Sequence, residues 1–221
     1  MLSYFKSIGL ELKGSLGALF RALPLYFRNQ FIWWPLLSPV LLLILVYLVS
    51  DANYQGWKHQ RTFKELMEIL HPSLLAAGVL VSLLGWWLSR DRAMALMAAI
   101  CAACLGRELA GQGTSIYLAM GLILCIWYAN THRQQVNTLL QSRWTLSLLA
   151  MGFINYACSQ LLDRGIIRGI GRLLSQNTRW QPPYASNMEE SLETLGGLFL
   201  LLAAVALFAI TRAQTTRSSR E

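Results

Sequence analysis

The sequence predicts an all-α integral membrane protein, a bundle of six transmembrane helices with amphipathic interfacial helices on both faces. Three observations carry that prediction. Six apolar stretches approach the length that crosses a bilayer, Lys and Arg crowd alternate connections, and the tryptophans gather at stretch ends. A helix needs about 20 mostly apolar residues to cross roughly 30 Å of hydrocarbon. The expected organisation is a cytoplasmic interfacial segment at 1–30 and a transmembrane domain at 31–211. The domain includes an amphipathic outer segment at 164–180, and a polar cytoplasmic tail follows at 212–221.

In the first segment, Phe5, Ile8, Leu12, Leu16, Leu19 and Leu23 recur at spacings of three or four, with Lys6, Lys13 and Arg21 off that stripe. Such a pattern lies on a leaflet or packs on a partner protein. The first span is read from Phe31 to Val49. Pro39 should kink it unless the helix begins later. No small-residue cleavage pattern follows this stretch, so it is expected to be a retained anchor.

The remaining spans are read as Pro72 to Ser89, Ala93 to Ala110, Thr114 to Asn130, Trp144 to Leu162 and Leu195 to Ile210. On one side lie Lys6, Lys13, Arg21 and Arg28, then Arg90 and Arg92, then His132, Arg133 and Arg143, and finally Arg212, Arg217 and Arg220. The positive-inside rule makes that side cytoplasmic and puts both termini there, in a bacterial inner membrane. Trp33, Trp34, Trp86, Trp87, Trp127 and Trp144 fall near the cytoplasmic ends of spans, and Trp57 and Trp180 on the outer side. Indole rings favour the headgroup level.

Span three is rich in small residues. Ala95, Ala99 and Ala103 form one four-residue repeat, and Ala98, Ala102 and Gly106 another. Faces of this kind let backbones approach closely in lipid. Gly196, Gly197, Ala203, Ala204 and Ala206 give span six a similar character. Cys101 and Cys104 form a C-x-x-C, either a redox or soft-metal pair or two small apolar residues in a packed helix.

The net charge of +8 follows from the inside bias and one basic outer loop. Nucleic acid is therefore not an expected partner, and 221 residues leave no room for a sizeable soluble domain.

Charged side chains gather at the outer level. Arg107 sits about 22 Å along its helix from Arg92, within hydrocarbon depth, where an ionisable group is costly unless paired or wet. Asp163 or Glu193 is its expected partner. Glu108, roughly 100° further around the helix, should face elsewhere. Span five ends with Ser159 and Asp163 on one face and Gln160 and Arg164 on the next. Span six opens with Glu189, Glu190 and Glu193. Between them Arg164, Arg168 and Arg172 repeat every four residues beside Ile166, Ile167, Ile170, Leu173 and Leu174, a basic ridge along an apolar face.

The leading expectation is binding or handling of an anionic lipid or lipid-linked solute at the outer leaflet, by a small transporter or an accessory subunit of an envelope complex. Candidate ligand-binding residues are Arg107, Glu108, Gln160, Asp163, Arg164, Arg168, Arg172, Glu189, Glu190 and Glu193. A membrane-embedded enzyme using Glu108, Asp163 and Glu193 as acid/base groups or metal ligands is the rival, and a purely structural subunit is the third possibility. No cofactor or metal is expected. His59 and His71 are read as flanking an outer loop, and His132 as cytoplasmic. Neither a G-x-S-x-G nor a P-loop occurs. Expected partners are anionic membrane lipids, with a membrane-protein partner or a second copy of the chain.

Overall fold

A computed structural model describes residues 37–52, 57–110, 115–179 and 181–218. The segment 1–30, the start of the first span, Trp33, Trp34, Trp180 and the last three residues of the tail lie outside the described residues. Among the described residues there is no strand. The helices are α1 (Ser38–Ala52), α2 (Trp57–Ser89), α3 (Arg92–Ala110), α4 (Ser115–Thr131), α5 (Asn137–Gln141), α6 (Arg143–Asp163), α7 (Ile166–Ser175) and α8 (Ala185–Ser218). A 3₁₀ turn at Arg133–Val136 precedes α5.

Four segments are long and apolar enough to cross a membrane: Thr62–Ser89, Arg92–Ala110, Arg143–Asp163 and Ala185–Thr216. Ser38–Val49 and Leu118–Thr131 are apolar but shorter. Large apolar side chains cover their outer surfaces, including Leu41, Ile44, Leu45 and Leu48 on α1, and Leu80, Leu84 and Trp87 on α2. Contiguous exposed apolar surface on this scale is costly in water and free of that cost in lipid. The chain therefore has the helices of an integral membrane protein.

Several boundaries differ from the sequence reading. Pro72 does not start a helix. It lies inside α2, which begins at Trp57. Its ring removes the N–H that would bond the Glu68 carbonyl, a defect that membrane helices tolerate. His71 is consequently a mid-helix residue and not a loop neighbour. Pro39 falls in the first turn of α1, where a missing N–H has no intrahelical role, so it requires no kink. Glu189, Glu190 and Glu193 all lie within α8.

The described residues divide into two compact units. Among the described residues, unit 1 contains 78–147 and the chain from 203 onward. Its turn at Arg90 and Asp91 is built by local chemistry. Arg90 takes a left-handed φ of 55°, and its N–H donates to the Trp86 carbonyl at 2.8 Å. Its guanidinium lies over the rings of Trp86 and Trp87, 5.4 and 4.9 Å from their centroids. Asp91 then caps α3, its Oδ1 accepting from the Ala93 N–H at 2.8 Å. Arg92 at the start of α3 donates to Gln135 just beyond α4, and Gly121 of α4 packs against Ala103. The two helices thus form an antiparallel hairpin.

The buried side of α3 carries Met94, Met97, Cys101 and Cys104, while Ala99, Ala102 and Gly106 are exposed. Of the expected small-residue faces, Ala98 is buried and Ala103 packs against Gly121 of α4. Small size permits close approach but does not select the face that has a neighbour. Cys101 and Cys104 are buried free thiols among apolar residues, consistent with the packing role.

Unit 2 contains residues 33–77 and 148–202. In it α2 and α8 run parallel. Lys64 pairs with Glu190, Thr194 reaches the Met67 carbonyl, and Gly197 packs on His71. Helix α6 runs antiparallel to α8, with Ser159 on Glu193, Tyr156 on Gly196 and Gly152 on Leu200. The crossing of α6 and α8 is glycine-lined on both sides. A Cβ at Gly196 would lie 3.2 Å from the Gly152 carbonyl oxygen, and one at Gly152 would lie 3.3 Å from that of Gly196.

Candidate functional site

The core of unit 2 is polar where three helices meet. His71 on α2, Tyr156 and Ser159 on α6, and Glu193 on α8 are all buried. The Tyr156 hydroxyl and His71 Nε2 are hydrogen-bonded. His71 Nδ1 lies 3.8 Å from Glu193 Oε2. The other carboxylate oxygen, Oε1, accepts a 2.8 Å hydrogen bond from the Ser159 hydroxyl. The four side chains form one line: phenol, imidazole, carboxylate, hydroxyl. Asn155, one residue before Tyr156, donates to the Met151 carbonyl at 2.9 Å and to the Ser38 hydroxyl at 3.2 Å, tying α1 to this core.

The sequence permits this line because small residues make room for it. Gly196 faces the Tyr156 ring, and a Cβ there would come within 2.9 Å of it. Gly197 faces the His71 ring at 3.2 Å. Ser159 falls three residues after Tyr156 and Glu193 three before Gly196, so each polar group shares a helix face with the packing residue beside it.

Above this line the polarity becomes wetter. Glu190 is one turn before Glu193 and lies 3.9 Å from Lys64, which also meets Glu68 at 3.4 Å. Glu189 is half-buried beside them. The three glutamates expected to open span six are therefore on one helix, at graded depth.

The remaining candidates sit at the end of α6 and on α7. Asp163 is exposed at the last position of α6. Arg164 is exposed in the break between helices, where Gly165 takes a left-handed φ of 67°. Arg168 and Arg172 are half-buried on α7, whose Ile166, Ile170, Leu173 and Leu174 are exposed. Two buried donors here have no hydrogen-bond partner, Gln160 Nε2 and Arg168 Nε. Buried polar atoms without a partner are rare in folded proteins, and those that occur call for a physical explanation.

Arg107 and Glu108 belong to unit 1 and form an ion pair at 3.0 Å with each other. The expectation that they point apart is corrected. The 100° offset along the helix is bridged by two long side chains, and partial burial favours closing the pair over leaving either charge alone.

The site residues that sequence reasoning missed are His71, Tyr156 and Lys64. The available signal was the His-Pro pair within a long apolar run, where a buried imidazole is unusual enough to notice. Ser159 was noticed for the face it shares with Asp163, but the partner of its hydroxyl is Glu193 on α8. No protein-family model, curated protein or solved structure matches this chain.

Proposed function

We propose that this is a polytopic membrane protein that binds the anionic headgroup of a lipid or lipid-linked solute at the corner between α6 and α7. The observation that carries this reading is the pair of orphaned donors, Gln160 Nε2 and Arg168 Nε. Both are N–H groups, one of them cationic, and both want acceptor oxygens. Phosphate and carboxylate headgroups supply such oxygens. Arg164 and Arg172, one turn either side of Arg168, add charge of the same sign. The exposed apolar residues of α7 suit a short amphipathic helix lying in the headgroup layer.

The topology that goes with this reading has six spans, N- and C-termini in the cytoplasm of a bacterial cell, and the α6–α7 corner at the outer leaflet. The helix directions support it. Helices α2 and α8 run parallel and α6 runs against them. Because α3 turns back at Arg90, the chain regains the direction of α2 only if α4 also traverses before α6 begins. A crossing by the short α4 agrees with that parity, and its antiparallel pairing with α3 supports it.

The test is the triple variant Arg164→Gln, Arg168→Gln, Arg172→Gln, compared with wild type for binding to vesicles containing phosphatidylglycerol and to vesicles of phosphatidylcholine alone. Each basic residue near an anionic surface contributes about 1 kcal/mol. The variant is expected to keep its fold and lose roughly 3 kcal/mol of selectivity for the anionic vesicles, and high salt should weaken the wild type in the same direction. A folded variant with wild-type selectivity refutes the reading, as does a variant that unfolds because the arginines are structural.

A further inference from the structure

The line Tyr156–His71–Glu193–Ser159 is not used by the headgroup reading, and its chemistry is different. We infer that the His71–Glu193 pair is a proton-binding site inside the membrane domain, loaded from the Lys64 end of unit 2 by way of Glu190. Its ligand is the proton, and the activity it implies is coupling of proton uptake to whatever the protein moves or binds.

Burial makes the pair a well for one proton. Its two side chains are 2% and 7% exposed and face each other at 3.8 Å. With one proton shared between them the pair is neutral, either as carboxylate with imidazolium or as two neutral groups. Removing that proton leaves a net negative charge, and adding a second leaves a net positive one. Either excess charge is costly in an apolar interior. The flanking groups suit exchange. A tyrosine hydroxyl can donate to Nε2 or accept from it, so Tyr156 remains bonded to His71 in either protonation state. Ser159 donates to the far oxygen of Glu193 and holds the carboxyl group in place beside His71.

Access is graded. Side-chain exposure falls from 50% at Glu68 and 42% at Lys64 to 15% at Glu190, then to 7% at Glu193 and 2% at His71. Glu190 precedes Glu193 by three residues, as Glu68 precedes His71, so on each helix one turn separates the wetter acid from the buried group. Within unit 2, the charged and titratable groups on the three helices of the pair include Lys64 and Glu68 on α2, Tyr156 and the terminal Asp163 on α6, and Glu189 and Glu190 on α8. Loading transfers one proton from water to the Glu190 carboxylate and from there to the pair. Only O–H and N–H bonds form and break, and the pair changes from −1 to neutral.

The experiment uses the full chain in nanodiscs of phosphatidylcholine, with ¹⁵N-labelled histidine and infrared detection of carboxyl groups. The His71 signal is assigned by its loss in His71→Gln. Wild type is expected to show the imidazole and one carboxyl band changing together in a single one-proton step between about pH 5 and 9. The band disappears in Glu193→Gln, which can still accept from Ser159, and there the imidazole stays neutral over the same range. Glu190→Gln keeps the step at equilibrium but slows its approach after a pH jump by at least about tenfold.

His71 titrating identically in Glu193→Gln, or neither group titrating in wild type, overturns the proton site. Wild-type kinetics in Glu190→Gln overturn the route. Stoichiometric Zn²⁺ in the purified protein, lost in both His71→Gln and Glu193→Gln, overturns it in favour of a metal centre. The triple arginine variant of α7 leaves this titration unchanged, so the two proposals fail separately.

Discussion

Replacing Gly196 by alanine tests the packing on which the polar core depends. The new Cβ would lie 2.9 and 3.0 Å from two carbons of the Tyr156 ring and 3.2 Å from the Gly152 carbonyl oxygen, where ordinary contact begins at 3.4 Å. The ring is pinned by its hydrogen bond to His71, and the carbonyl belongs to a helix backbone, so neither yields cheaply. Overpacking of this kind costs about 1–3 kcal/mol. Alanine's better helix propensity returns at most about 1 kcal/mol, leaving a net loss on the order of 1–2 kcal/mol. Gly106→Ala is the matched control, since a Cβ there meets nothing within 4 Å. It should be neutral or stabilising by up to about 1 kcal/mol. Reversible unfolding by sodium dodecyl sulfate in mixed micelles measures both. A cycle with Tyr156→Ala completes the test, because removing the ring should erase at least about 0.5 kcal/mol of the Gly196→Ala cost. Equal effects of the two glycine substitutions, or additivity in the cycle, would refute the close α6–α8 crossing.

Tyr156→Phe separates the hydroxyl from the ring. It should cost about 1–3 kcal/mol through the lost bond to His71 while leaving the Gly196→Ala penalty intact, as the same micelle unfolding assay would show. Asp91→Ala removes the acceptor of the Ala93 N–H and should destabilise by about 1 kcal/mol. Asp91→Asn should recover most of that, and a wild-type midpoint in the alanine variant would contradict the cap.

The helices were legible in the sequence wherever lipid dictates composition. Apolar runs and the charges between them located α2, α3, α6 and α8 because hydrocarbon tolerates few polar side chains. Their ends were less legible. Helix α2 continues back to Trp57, and α8 back to Ala185, through segments polar enough to resemble loops. Backbone hydrogen bonding favours continuing a helix past the hydrocarbon edge, and composition does not record that preference. Pro72 reinforced the misreading, since a proline usually marks a boundary and here marks a tolerated defect.

The site divides along the same physical line. Spacing within one helix put Glu189, Glu190 and Glu193 on a common path, and it aligned Arg164, Arg168 and Arg172, because side chains three or four apart share a face. Spacing says nothing about partners on other helices. His71 and Tyr156 are 85 residues apart and meet only because α2 and α6 both pack on the glycines of α8. A single histidine in an apolar run reads as an accident until its neighbours are known. Yet the cost of burying it is a stronger constraint than most sequence motifs. Glu193, Tyr156, Gly196 and Gly197 surround it from two further helices, and each relieves one part of that cost: charge, hydrogen bonding or space. A histidine kept at mid-helix with four such accommodations is better explained by a proton that it exchanges than by packing, which an apolar residue at that position would do more cheaply.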